Sequence, residues 1–250
     1  MKAITSAIFI LFVSAFASAQ VSVKDSSIFT PLICGSYAYQ IPGGDLAKRF
    51  GDNSNLGVDI LFKTKKNWIY GIQYSHLFGE KIYESNILDN LRNNDGWIIN
   101  RNGQEAIIRM FERGHSYMGK FGRLFNVMAP NPNSGFFVTL GAGYLHHKIR
   151  IDNVGNDVPQ LNKEFKKGYD RLTGGFAVQG FAGYLFLSNS RLTNFYVGVE
   201  LTQAWTQSLR SFNYDTMQAD TQKRLDQLTG FRFGWIIPIY KKSPREFYYD

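Results

Sequence analysis

The sequence predicts an all-β fold: an eight-stranded antiparallel up-and-down transmembrane β-barrel. Three observations predict it. Long segments alternate with a period of two, which marks strands rather than helices, and they exceed the ~5–6 residues usual in soluble sheets. One face of each segment is apolar with aromatics near its ends, and the other is small or polar, as suits a lipid-facing wall around a polar lumen. The connections alternate short and long, the pattern of short turns at one membrane face and long loops at the other. A soluble barrel would turn the apolar face inward and predicts no such one-sided loops.

The pair of segments within 172–210 is the clearest case. LTGGFAVQGFAGYLFL puts Leu172, Phe176, Val178, Ala182, Tyr184 and Phe186 on one face. After SNSRLT, the run NFYVGVELTQAWTQSLR puts Phe195, Val197, Val199, Leu201 and Trp205 on one face, with Gly198, Glu200 and Thr202 on the other.

Taken in order, the chain opens with MKAITSAIFILFVSAFASAQ. Lys2, an apolar run and Ala17-Ser18-Ala19 predict a signal peptide over 1–19, with the mature chain beginning at Gln20. Cys34 lies too far past that point to be a lipidation site. A short polar periplasmic lead is expected over 20–28, and the barrel over 29–240. The first strand (29–41) is stopped by Pro42-Gly43-Gly44, and 45–50 can form one helical turn. The second strand (54–63) turns Leu56, Val58, Ile60 and Phe62 outward and Asp59 inward. A tight turn at 64–67 leads to the third strand (68–78), with Trp68, Tyr70, Ile72 and Tyr74 outward.

The stretch 79–114 is a long insertion. Asn102-Gly103 between apolar runs predicts a type I′ hairpin, with positive φ at both central residues, and an amphipathic helix over 104–113 is the alternative. Trp97, Ile99, Asn102, Gly103, Ile107 and Arg109 are its candidate interaction residues. The fourth and fifth strands (115–127 and 136–149) flank a compact turn. A polar loop (151–167) precedes the central pair, another (211–227) follows it, and the last strand (228–240) turns Phe231, Phe233, Trp235 and Ile237 outward and Arg232 inward. The tail 241–250 follows. An even strand number puts both termini on the periplasmic side.

Composition agrees. Aromatics make up 16% and glycines number 24, which girdles and kinked strands explain. The single cysteine excludes an internal disulfide. The net charge of +8 favours anionic surfaces, so outer-membrane lipid and lipopolysaccharide are expected partners, along with other outer-membrane or periplasmic proteins. Nothing points to nucleic acid.

PGGDLAKRFG, NLGVDILFKTKKNWIYGIQYSHLFG, and NGQEAIIRMFERG leading into GKFGRLF resemble the small outer-membrane barrel proteins of Bacteroidota-type bacteria, OmpA-like barrels without a peptidoglycan-binding domain. That resemblance implies residence in the outer membrane. It also implies either a free-standing barrel or a small barrel attached to a secretion or barrel-assembly machine.

The inward charges Asp59, Lys120, Glu200 and Arg232 are candidate lumen pairs. An eight-stranded interior is only wide enough for its own side chains, and a buried charge without a partner costs several kcal/mol. Glu200 and Arg232, on adjacent strands, are expected to pair. Trp68, Tyr70, Tyr184, Phe186, Phe195, Trp205 and Trp235 are candidate interface anchors. Lys63, Lys65, Lys66, Arg191, Lys241 and Lys242 fall at the turn side, within reach of headgroups.

His146 and His147 point to opposite faces, so they cannot share a metal. His76 and His115 flank the insertion without a metal-site spacing. Ser116 beside His115, or Ser75 beside His76, could act as a hydrolase pair only across strands. Gly174-Gly175 and the 141–143 run lie within strands and form no phosphate loop. No catalytic, cofactor or metal set is expected. The leading expectation is a structural or accessory subunit of a larger outer-membrane complex. A narrow pore and a lipid A-modifying or phospholipid hydrolase barrel are the rivals.

Overall fold

The structure is a computed structural model that describes residues 26–155, 157–188 and 192–240. The proposed signal peptide and tail, with Arg191, Lys241 and Lys242, lie outside them. Eight strands close into one ring in chain order: β1 (Thr30–Gly44), β2 (Asn53–Lys63), β3 (Trp68–Gly79), β4 (Ile108–Phe125), β5 (Gly135–Asn153), β6 (Thr173–Phe186), β7 (Phe195–Ser208) and β8 (Lys223–Pro238). Every neighbouring pair is antiparallel, and β1 closes on β8 from Leu32↔Pro238 to Gly44↔Asp226.

The turns 64–67 and 126–134, the connection from β6 to β7 and the two ends of the ring lie on one side. The loops 45–52, 80–107, 154–172 and 209–222 lie on the other. β4 and β5 are longer than the fourth and fifth strands read from sequence. Their loop-side ends, beyond Gly79↔Glu112 and His147↔Thr173, stand above the ring as a two-stranded ribbon. β8 likewise begins at Lys223 rather than 228.

Burial alternates along every strand. The interior holds two apolar clusters with a polar layer between them. At the turn side, Leu32, Leu61, Ile69, Leu124, Phe181 and Ile236 pack together. At the loop side, Leu46, Phe50, Leu77, Ile87, Leu88, Leu161 and Tyr169 pack, and several of these come from loops that fold over the mouth. Outward positions carry the exposed apolar residues, from Ile33, Tyr37 and Tyr39 on β1 to Phe231, Phe233 and Trp235 on β8. Soluble monomers rarely expose continuous apolar surface on this scale, so the wall is built for hydrocarbon rather than water.

Two inward glycines make room for large interior side chains. A Cβ on Gly234 would lie 2.2 Å from the Tyr196 ring, and one on Gly57 would lie 2.9 Å from Nη1 of Arg232.

Candidate functional site

The polar layer is one connected network. Arg232, on β8, donates from Nε to Glu200 Oε2 at 2.6 Å and from Nη2 to Oε1 at 2.9 Å. Its Nη1 donates to Ser36 (2.8 Å), and Nη2 also reaches Asn55 Oδ1 (3.0 Å). Glu200 further accepts from Gln40 at 2.7 Å. Asp59 accepts from Lys120 Nζ (3.1 Å), from the Tyr196 hydroxyl (3.0 Å) and from Ser36 (3.5 Å). Two carboxylates and two cations thus neutralise each other, bridged by Ser36. The alternation of β2, β4, β7 and β8 delivers all four charges to one depth, and all four are buried. The sequence read their faces; the bridging Ser36, Asn55 and Tyr196 required the register.

Both ends of this layer are closed. At the turn side Lys63 is fully buried, and its Nζ donates to Asn133 Oδ1 (2.8 Å) and to Ser27 (3.1 Å). This corrects its placement at the headgroups: its position on β2 is an inward one, as the strand's own alternation requires. Ile28, from the lead, donates its N–H to the same Asn133 oxygen.

At the loop side, Arg49 pins the cap to the ring. It forms an ion pair with Glu84 (3.1 Å) and donates to the Thr173 hydroxyl (3.0 Å) and the Arg171 carbonyl (3.2 Å). Burial draws its guanidinium below the usual arginine range, opposed by Glu84. Arg171 reaches both Glu84 and Asp215, joining three loops.

The hairpin in the long loop forms with a different turn. Ala106 N–H bonds Ile98 O, Asn100 N–H bonds Gln104 O, and Gly103 N–H bonds Asn100 O. Gly103 alone of the central residues has positive φ, at +75°. The expected type I′ geometry is absent because Asn100 Oδ1 accepts from the N–H groups of Asn102 and Gln104, both at 2.9 Å, which holds a wider turn. Trp97, Ile99 and Ile107 are exposed, but Arg109 belongs to the β4 wall and not to the hairpin.

The anchors Trp68, Tyr70, Tyr184, Phe186, Phe195 and Trp235 ring the turn side. Trp68 stacks on Phe121 at 5.1 Å with Arg123 over its ring. Trp235 Nε1 donates to Leu192 O at 2.8 Å, and the Tyr184 hydroxyl to Met128 O at 2.9 Å. Trp205 lies at the loop side, beside Phe176.

Register brings together residues that the sequence scattered. Across β3, β4 and β5 the outward positions align in rows. From the loop side down they read Phe78, Arg113, Lys148; then His76, His115, His146; then Tyr74, Tyr117, Tyr144; then Ile72, Gly119, Ala142. The histidine rings are 4.8 and 5.1 Å apart, and the Tyr74 hydroxyl meets His115 Nδ1 at 2.8 Å. Among the described residues no group of three or more His, Cys, Asp or Glu is arranged to hold a metal ion. Ser75 and Ser116 bond each other inside the ring at 2.7 Å, across the wall from His76 and His115. Neither hydrolase pair therefore forms.

No family model and no curated protein matches the chain. Several solved structures are similar in fold, among them the three that follow. Neisserial surface protein A is 10% identical over 83% of this chain and 96% of that one, with a TM-score of 0.40. Ail, the attachment invasion locus protein of Yersinia pestis, is 11% identical over 84% and 99%, with a TM-score of 0.40. The outer membrane protein OprG from Pseudomonas aeruginosa is 10% identical over 88% and 100%, with a TM-score of 0.40.

Proposed function

We propose that this chain is an outer-membrane barrel that works through its surfaces rather than its lumen, as an accessory subunit of a larger outer-membrane assembly, with its turns and both termini in the periplasm. The observation that carries this reading is the closed interior. Apolar clusters sit above and below a network that leaves none of its four charges unpaired. A conducting path would need water-lined charges, whereas these carboxylates and cations are spent on each other.

What remains available is the outside. The loop-side cap is cross-linked by ion pairs between loops, so it presents a fixed face. The wall offers lipid or a neighbouring barrel a continuous apolar surface.

Extraction in mild detergent, followed by sizing and mass spectrometry, tests it. A reproducible larger particle with a defined partner is expected. A lone barrel that gives discrete conductance in planar bilayers would replace this reading with a pore.

A further inference from the structure

We infer that the outer wall of β3–β5, with the cavity at the loop-side edge of β5, seats one phosphorylated glycolipid of the outer leaflet. The inference rests on the orientation proposed above. The chemistry changes in order along the strands: cations, then ring donors and acceptors, then a dent in the apolar wall.

The loop-side end of β5 is rich in cations. A cavity of about 690 Å³ lies between the loop-side end of β5 and the 159–168 segment, within the size range of ligand sites. Lys148, Arg150, Lys163, Lys166, Lys167 and Arg210 line it, against the single lining carboxylate of Asp170. Asp170 is already engaged by Arg210 at 2.5 Å and by Lys148 at 3.7 Å. The nearby acids Asp152 and Glu164 are taken up by Arg150 and Lys167. Just below, Arg113 and Lys148 face each other directly across β4 and β5. Like charges opposite one another destabilise a sheet, and a bound anion removes that cost. Six cations against the three carboxylates of Asp170, Asp152 and Glu164 leave this site net positive, which suits phosphoryl oxygens.

The bottom is apolar. Gly119 and Ala142, a register pair, interrupt the large outward residues and open a groove of about 800 Å³ bounded by Ile72, Phe121 and Leu140. An acyl chain fits there. From Lys148 to Ala142 the strand runs roughly 20 Å. The histidine and tyrosine rows fill that interval with hydroxyl and imidazole groups, which suit the hydroxyls of a sugar. A glycerophospholipid would bring far fewer hydroxyls to that level.

The test titrates the purified full chain in detergent with bisphosphorylated lipid A, its dephosphorylated form, and phosphatidylglycerol. Bisphosphorylated lipid A is expected to bind, and loss of its phosphates to weaken binding roughly tenfold or more. Lys163→Ala with Lys166→Ala, in the loop, is expected to weaken it by a similar factor. Gly119→Leu with Ala142→Leu fills the groove and is expected to weaken binding of the intact lipid. A Cβ at Gly119 meets nothing nearer than the Ala142 carbonyl oxygen at 3.7 Å, so the barrel is expected to close normally, as its electrophoretic heat shift would show.

Equal binding of the dephosphorylated form, equal binding of phosphatidylglycerol, or wild-type affinity in both double variants would overturn the glycolipid seat. Orientation is read separately, by labelling Asn102→Cys in intact cells with an impermeant maleimide. No labelling would overturn the orientation and the outer-leaflet source with it. Normal labelling without lipid A binding overturns the seat alone.

Discussion

Arg232 and Glu200 meet through two hydrogen bonds of 2.6 and 2.9 Å, although neither is the other's register partner. Arg232 stands opposite Gly198, and Glu200 opposite Gly230. Each long side chain crosses diagonally over the position its partner strand leaves empty. The pair is the centre of the interior, and its surroundings set what its removal costs.

Arg232→Met leaves Glu200 buried without its cation and should destabilise the barrel by about 3–5 kcal/mol. Adding Glu200→Met should recover much of that loss, because the desolvated charge is then gone. Urea unfolding of the two single variants and the double variant in detergent measures the coupling. Additive losses would show that the two side chains act independently.

Gly234→Ala should destabilise by about 1–3 kcal/mol, since the new methyl runs into the Tyr196 ring. Gly35→Ala and Gly180→Ala are the controls. Both face outward with nothing within 4 Å of the added Cβ, so their unfolding midpoints should match that of the parent. The electrophoretic heat shift of folded barrel separates the two classes.

Asn100→Ala removes the acceptor of two backbone N–H groups, and also the bond from its Nδ2 to Asp157 Oδ2 at 2.8 Å. Limited proteolysis should cut the 98–106 hairpin faster while the global unfolding midpoint stays put. Gly103→Ala should act in the same direction, at about 1 kcal/mol of local strain, because its φ is +75°.

Cys34 is fully buried and faces inward from β1. Maleimide should leave it unlabelled in folded barrel and label it fully in urea. Labelling at an equal rate in both states would show that the interior admits small solutes, contrary to the closed lumen.

The faces of the strands were legible because alternation is a local property. Asp59, Lys120, Glu200 and Arg232 could be placed inside from their own segments. The lengths of β4 and β5 were not legible. IRMFERG at the start of β4 mixes charge with apolar residues on the outward face, since that part stands above the lipid-facing band. The histidine row was hidden for another reason. His76, His115 and His146 lie on three strands, and only the register brings them side by side. The turn at Asn102-Gly103 was misread because a side chain two residues upstream, that of Asn100, sets its width.

Closure between β1 and β8 has a consequence for how the chain reaches its membrane. The pairs from Leu32↔Pro238 to Gly44↔Asp226 join the two ends of the ring, so this seam closes the longest loop of any strand pair and is expected to form last. Until it forms, two rows of bare peptide groups would face hydrocarbon, at several kcal/mol per group. A chain lacking β8 is therefore not a smaller barrel but an open sheet that the bilayer rejects. Insertion is expected to be coupled to seam formation, and truncation at the C-terminal strand should abolish the protein rather than trim it.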